Sequence, residues 1–117
     1  MKYQILESQI DRLVVKYLNS KDFIQIDKGD RIFFVNSEGD KYAQIKYDKS
    51  DGFCFVNINL IKEISSFFDL EFSDSKEVIG RWVENTLNQE VEDILSWLPL
   101  KKITIPNPGP EIVIENT

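Results

Sequence analysis

"FIQIDKGDRIFFVNSEGDKYAQIKYDKSDGFCFVNI", residues 23–58, is the stretch that decides how this chain folds. It holds four short runs rich in aromatic and β-branched residues, FIQI, RIFFV, KYAQIKY and GFCFVNI, parted by the polar breaks DKGD, NSEGD and DKSDG. Runs of that length and composition are strands. Glycine beside Asp or Asn supplies the positive φ that tight hairpin turns need, so consecutive short connections make an antiparallel meander. In the third run Ala43, Ile45 and Tyr47 alternate with Gln44 and Lys46. Strand alternation predicts the first three facing packed helices and the other two facing water.

On the N-terminal side, Leu6, Ile10, Leu13, Val14, Tyr17 and Leu18 recur at steps of three and four, a helical stripe predicting a helix over residues 4–20. After the strands, Leu60, Ile61, Ile64, Phe67, Phe68 and Leu70 predict a short amphipathic helix starting near Asn59. Next, "FSDSKEV" offers Asp74 as N-cap with Glu77 three residues on, leading into the stripe Val78, Ile79, Trp82, Val83, Leu87 and Val91. Ile94, Leu95 and Leu98 continue the helical spacing until Pro99 stops it, with Asn88 leaving open a break between two helices. "PLKKITIPNPGPEIVIENT" then carries all four prolines and two alternating apolar pieces, which read as an extended arm or a terminal hairpin. The expected architecture is a single α+β domain over residues 1–99: an N-terminal helix, a four-stranded antiparallel meander, and two to three C-terminal helices packed on one face. An extended proline-rich arm, residues 100–117, follows.

Composition narrows the chemistry. At 117 residues the chain suits one domain with a real core, and 42% hydrophobic with 29% charged residues is a globular balance. Twenty acidic against fourteen basic residues give a formal charge of -6, which opposes bulk attraction to phosphate. There is no histidine, which removes the commonest general base and transition-metal ligand, and with them zinc, Ser-His and Cys-His catalysis. Cys54 is the sole cysteine, so no internal disulfide is available. The start "MKYQILESQIDRL" reads as the first helix and not as a secretory leader, and no apolar run approaches the roughly 20 residues of a membrane span. A cytoplasmic protein without a cofactor is expected.

Several short patterns call for a chemical reading. Asp30 before one strand, Gln44 and Lys46 on the next, and Glu7 on a preceding helix have the outline of a metal-dependent nuclease centre of the restriction-endonuclease-like type. There carboxylates hold Mg²⁺ and the lysine places the attacking water. The neutral Gln44 stands where Glu is usual, and a half-exposed hairpin strand explains the same alternation, so the strand reading is preferred. Calcium loops starting at Asn36 or Asp48 fail at their twelfth position. "SDSK", residues 73–76, matches a Ser-x-x-Lys pair but is more simply a helix N-terminus. Cys54 between Phe53 and Phe55 reads as a small core residue. The helix–turn–helix over residues 60–87 offers only Lys76 and Arg81 against Asp74, Glu77 and Glu84, a poor set for reading DNA.

"KYLNSKDF", "NSEGDKYAQIKYDKSDGFC" and "EISSFFDLEFSDSKEVIGRWVENTLN" resemble a group of small uncharacterised proteins of phage genomes and environmental sequence sets, over about residues 14 to 91. The resemblance carries no functional residues; it implies a phage-type accessory protein in a host cytoplasm. The expected function is non-enzymatic protein binding or self-association as a homodimer. Trp97, Ile103, Ile105, Ile112 and Ile114 are the expected interaction residues. An acidic nucleic-acid mimic or inhibitor is the further alternative, from the acid-rich segments around residues 69–77 and 84–93.

Overall fold

The structure is a computed structural model that describes residues 4–37 and 42–99, with side chains described from residue 9 onward. Helix α1 (Gln4–Ser20) leads into strands β1 (Ile24–Lys28), β2 (Arg31–Val35), β3 (Ala43–Asp48) and β4 (Phe53–Asn57). Helices α2 (Ile58–Phe68) and α3 (Phe72–Leu87) follow, then strand β5 (Asp93–Trp97). The α+β class, the N-terminal helix, the antiparallel order of β1 to β4 and the two later helices are those the sequence predicts. Gly29 (φ 65) and Gly52 (φ 78) hold the left-handed turn positions that any side chain would strain.

The region after α3 differs from expectation. Asn88 takes a left-handed conformation (φ 56) and caps α3 through its N–H to Glu84 O, so the helix stops there. Residues 93–97, expected to continue the helix, form β5, which pairs parallel to β4 from Phe53↔Asp93 to Asn57↔Trp97. The sheet thus has five strands in the order β1-β2-β3-β4-β5. Pairing gives the open edge of β4 its hydrogen-bond partners, which local spacing at Ile94, Leu95 and Leu98 could not express. The crossover from β4 to β5 runs through both helices, as a parallel pair requires. Two more bonds fix the return: Glu92 N–H donates to Gly52 O (2.7 Å), and Tyr47 OH donates to Glu90 O (2.6 Å). The α3 cap also differs, since the N-cap is Glu71 and Asp74 lies inside the first turn, where its charge suits the helix dipole.

All three helices pack on one face of the sheet. Ile32, Phe34, Ile45, Tyr47, Cys54 and Val56 meet Val14 and Leu18 of α1, Leu60, Ile61 and Ile64 of α2, and Val78, Ile79, Trp82 and Val83 of α3. Trp82 joins α3 to α1 and the sheet: its ring lies edge-on to Phe34 (5.3 Å) and Phe23 (5.8 Å), and its Nε1 donates to Asn19 Oδ1 (2.9 Å). Among the described residues no helix is long and apolar enough to cross a membrane.

Candidate functional site: the outer face of the sheet

The β2–β3 ladder contains a bulge. Phe34 pairs Ile45 and Val35 pairs Ala43, which leaves Gln44 as the extra residue. Ala43, expected beside Ile45 and Tyr47 under the helices, instead joins Ile26 and Val35 in a second cluster, with Ile24, Phe33 and Trp97 packed against it. Among the described residues no helix residue belongs to that cluster. The bulge therefore builds an outer apolar face that simple alternation does not anticipate.

Cross-strand register gives the extent of this face, because paired residues project to the same side. The row Ile26–Phe33–Lys46–Phe55–Leu95 crosses all five strands. Lys46 is its centre. Its Nζ lies 4.4 Å from the Phe55 ring centroid and 5.1 Å from that of Trp97, and the two rings meet edge-on at 6.2 Å. Ring quadrupoles attract the ammonium there. Loss of hydration, then repulsion from Arg31, lowers the Lys46 pKa from its ordinary value. One step along, Arg31 reaches Asp48 (3.9 Å). The Asp48 carboxyl is held below its ordinary range by the Ser50 hydroxyl (2.7 Å) and Ser50 N–H (3.1 Å).

Lys46 and Gln44, expected to face water, do not simply do so. Gln44 is 8% exposed and its amide donates to Tyr42 O (3.3 Å), whereas Lys46 is half-buried on its two rings. Of the nuclease set, Asp30 and Gln44 lie apart. Asp30 lies in the β1–β2 turn, its carbonyl taking Lys49 N–H (2.7 Å), beyond the far end of β3 from Gln44. At a strand rise of about 3.3 Å per residue, roughly 16 Å separates those ends. The Glu7 side chain lies outside the described residues, as do Ile103, Ile105, Ile112, Ile114 and the whole arm. Among the described residues no three His, Cys, Asp or Glu side chains are grouped to hold a metal ion. Trp97, expected on a helix, is placed by β5 on the outer face.

The remaining patterns are structural. Ser75 is buried, with its Oγ 2.8 Å from Ser65 Oγ and donating to Glu71 O (3.0 Å), which ties α3 to α2. Burial pushes the Cys54 thiol up to about 12. Arg81 is committed to Asp11 of α1 (3.1 and 3.2 Å) and to Glu77 (3.7 Å), which removes the better of the two cations from any DNA-reading role. A groove of about 410 Å³ between α3 and β5 is walled by charges of both signs, Lys76 and Arg81 against Glu77, Glu84, Glu92 and Asp93.

Phe33, Phe55 and Leu95 were missed by alternation alone, yet a signal was present. RIFFV and FCFV are continuous apolar runs, which mark strands covered on both faces. No protein-family model matches the chain, and neither a curated protein nor a solved structure matches it.

Proposed function

We propose that this chain is a non-enzymatic protein-binding domain, and that it takes an extended apolar segment of a partner polypeptide on the outer face of its sheet. The observation that carries this reading is Lys46 of β3 seated on Phe55 and Trp97, in a row whose other members, Ile26, Phe33, Phe55 and Leu95, are apolar and come from the other four strands. Aromatic and aliphatic groups around one half-buried cation give both the apolar area and the polar fix that peptide recognition uses. A carboxylate on the bound segment would answer the Lys46 ammonium, which is partly stripped of water on its two rings. The five-stranded sheet itself sets out the row.

The test is selection of binders from a random peptide library by the full chain, followed by titration of the enriched peptides. Peptides with two or more apolar residues and an acid are expected. Phe55→Asp should weaken their binding at least about tenfold, or about 1.4 kcal/mol, with near-UV circular dichroism unchanged. Lys46→Glu should weaken acidic peptides selectively. Enriched peptides that bind both variants as tightly as the parent would defeat the proposal.

A further inference from the structure

In the groove of about 410 Å³ between α3 and β5 the charges are sorted by position. Ser73, Lys76, Gly80 and Glu84 follow one another at steps of three and four, on one face of α3. The chain then turns back, so that Val91 lies beside Glu84 and Ile94 beside Gly80. Gly80, Val91 and Ile94 make an apolar middle. Arg81 and Glu77 add no free charge, because Arg81 pairs with Glu77 (3.7 Å) and with Asp11 of α1 (3.1 Å). Lys76 remains toward one end and Glu84 with Glu92 toward the other, and none of the three has an ion pair among the described residues. At about 1.5 Å per residue, positions 76 and 84 stand about 12 Å apart along the helix.

The acid end is held by the fold. Glu84 Oε2 accepts Val91 N–H (3.1 Å), and Glu92 N–H donates to Gly52 O (2.7 Å). The Glu92 stem lies on Gly52, where a Cβ would come within 2.8 Å of its Cγ. Asp93, beside them, has its Oδ1 on Ile94 N–H (2.8 Å). Side chains placed in advance give up less conformational freedom when a ligand arrives.

We infer that this groove binds a small zwitterion whose ammonium and carboxylate are separated by an apolar body, the chemistry shared by a dipeptide and an ω-amino acid. The ligand's ammonium meets Glu84 and Glu92, its carboxylate meets Lys76, and its carbon chain lies along Gly80, Val91 and Ile94. The volume is at the small-molecule end of the range of about 300–1,000 Å³ that ligand pockets span. A ligand with only one charged end leaves the opposite end of the groove unanswered, so both of its charges are read. The site shares no residue with the row centred on Lys46 and stands independently of the peptide-binding reading.

The experiment titrates the full chain, followed by backbone NMR shifts, with ε-aminocaproate and the dipeptide alanyl-leucine, and with hexylamine and caproate, which keep one charged end each. Lys76, Gly80, Glu92 and Ile94 should shift together and saturably with at least one zwitterion. That zwitterion should bind about tenfold or more tightly than either singly charged compound, the cost of one lost charge-assisted hydrogen bond. The tighter of the two zwitterions names the source, peptide or ω-amino acid. Lys76→Gln should abolish the preference over hexylamine. Glu84→Gln with Glu92→Gln, which keeps an acceptor for Val91 N–H, should abolish the preference over caproate. Absence of saturable shifts in the groove with both zwitterions overturns the inference. Hexylamine bound as tightly as the zwitterions overturns it too, because the acids alone would then account for binding. So does a preference for the zwitterion over hexylamine that survives Lys76→Gln.

Discussion

Gly80 of α3 and Ile94 of β5 touch so closely that a Cβ at position 80 would lie 2.2 Å from Ile94 Cδ1. This is where the helical layer meets the fifth strand, and the glycine is what permits it. Gly80→Ala gains about 1 kcal/mol of helix propensity but overpacks by about 1–3 kcal/mol. A net loss is expected, read as a lower Tm, and Ile94→Ala in the same chain should recover part of it. A Tm for Gly80→Ala at or above the parent's would contradict the close approach.

Trp82 binds α1, α3 and the sheet into one unit through Phe34, Phe23 and Asn19. Trp82→Ala should cost about 3–5 kcal/mol in urea denaturation. Trp82→Phe keeps most of the packing and leaves Asn19 without its donor, a smaller loss of about 1 kcal/mol. Equal costs for the two variants would show that ring packing is not the main term.

Cys54 offers a check at alkaline pH. Its thiol is raised by burial to about 12 in the fold, against an ordinary 9.0. A raised folded pKa favours the protonated form, so this contribution is complete below about 9 and is lost as pH rises from there through about 12. Stability of the parent should fall over that window more steeply than that of Cys54→Ala. Below pH 9, thiol reagents should modify Cys54 only at the rate of unfolding. Rapid modification of the native protein would contradict its burial.

Tyr17 gives a parallel expectation at the α1–α2 contact. Its hydroxyl donates to Glu63, and that bond, then burial, raises its pKa to about 12. Tyrosine absorbance should show a group ionising well above the ordinary 10.0 that is absent from Tyr17→Phe, beside Tyr47, whose pKa burial also raises. Glu63→Gln removes the acceptor's charge and should bring that titration down toward 10.0. A Tyr17 titration indifferent to Glu63→Gln would contradict the bond.

Most of the fold is legible in residues 4–87 because each element there announces itself locally. The α1 stripe, the hairpin turns at Gly29 and Gly52, and the core positions Ile61, Ile64, Ile79 and Trp82 follow from spacing and turn chemistry. β5 is not legible this way. Val91, Ile94, Leu95 and Leu98 satisfy helical spacing, and only the vacant edge of β4, a non-local fact, turns residues 93–97 into a strand. The candidate site was half legible. From sequence Lys46 and Trp97 stand as isolated residues, one in a nuclease-like triplet and the other at helical spacing. Their meeting required the bulge at Gln44 and the register that sets Phe55 opposite Lys46.

The proposal that the outer face binds a partner is tested most directly by backbone and side-chain NMR shifts of the full chain on addition of a selected peptide. The expected result is that Phe33, Lys46, Phe55, Leu95 and Trp97 shift together, with the Lys46 ammonium group among the largest changes. Shifts confined to α1, or to the groove between α3 and β5, with Lys46 and Phe55 unmoved, would contradict it.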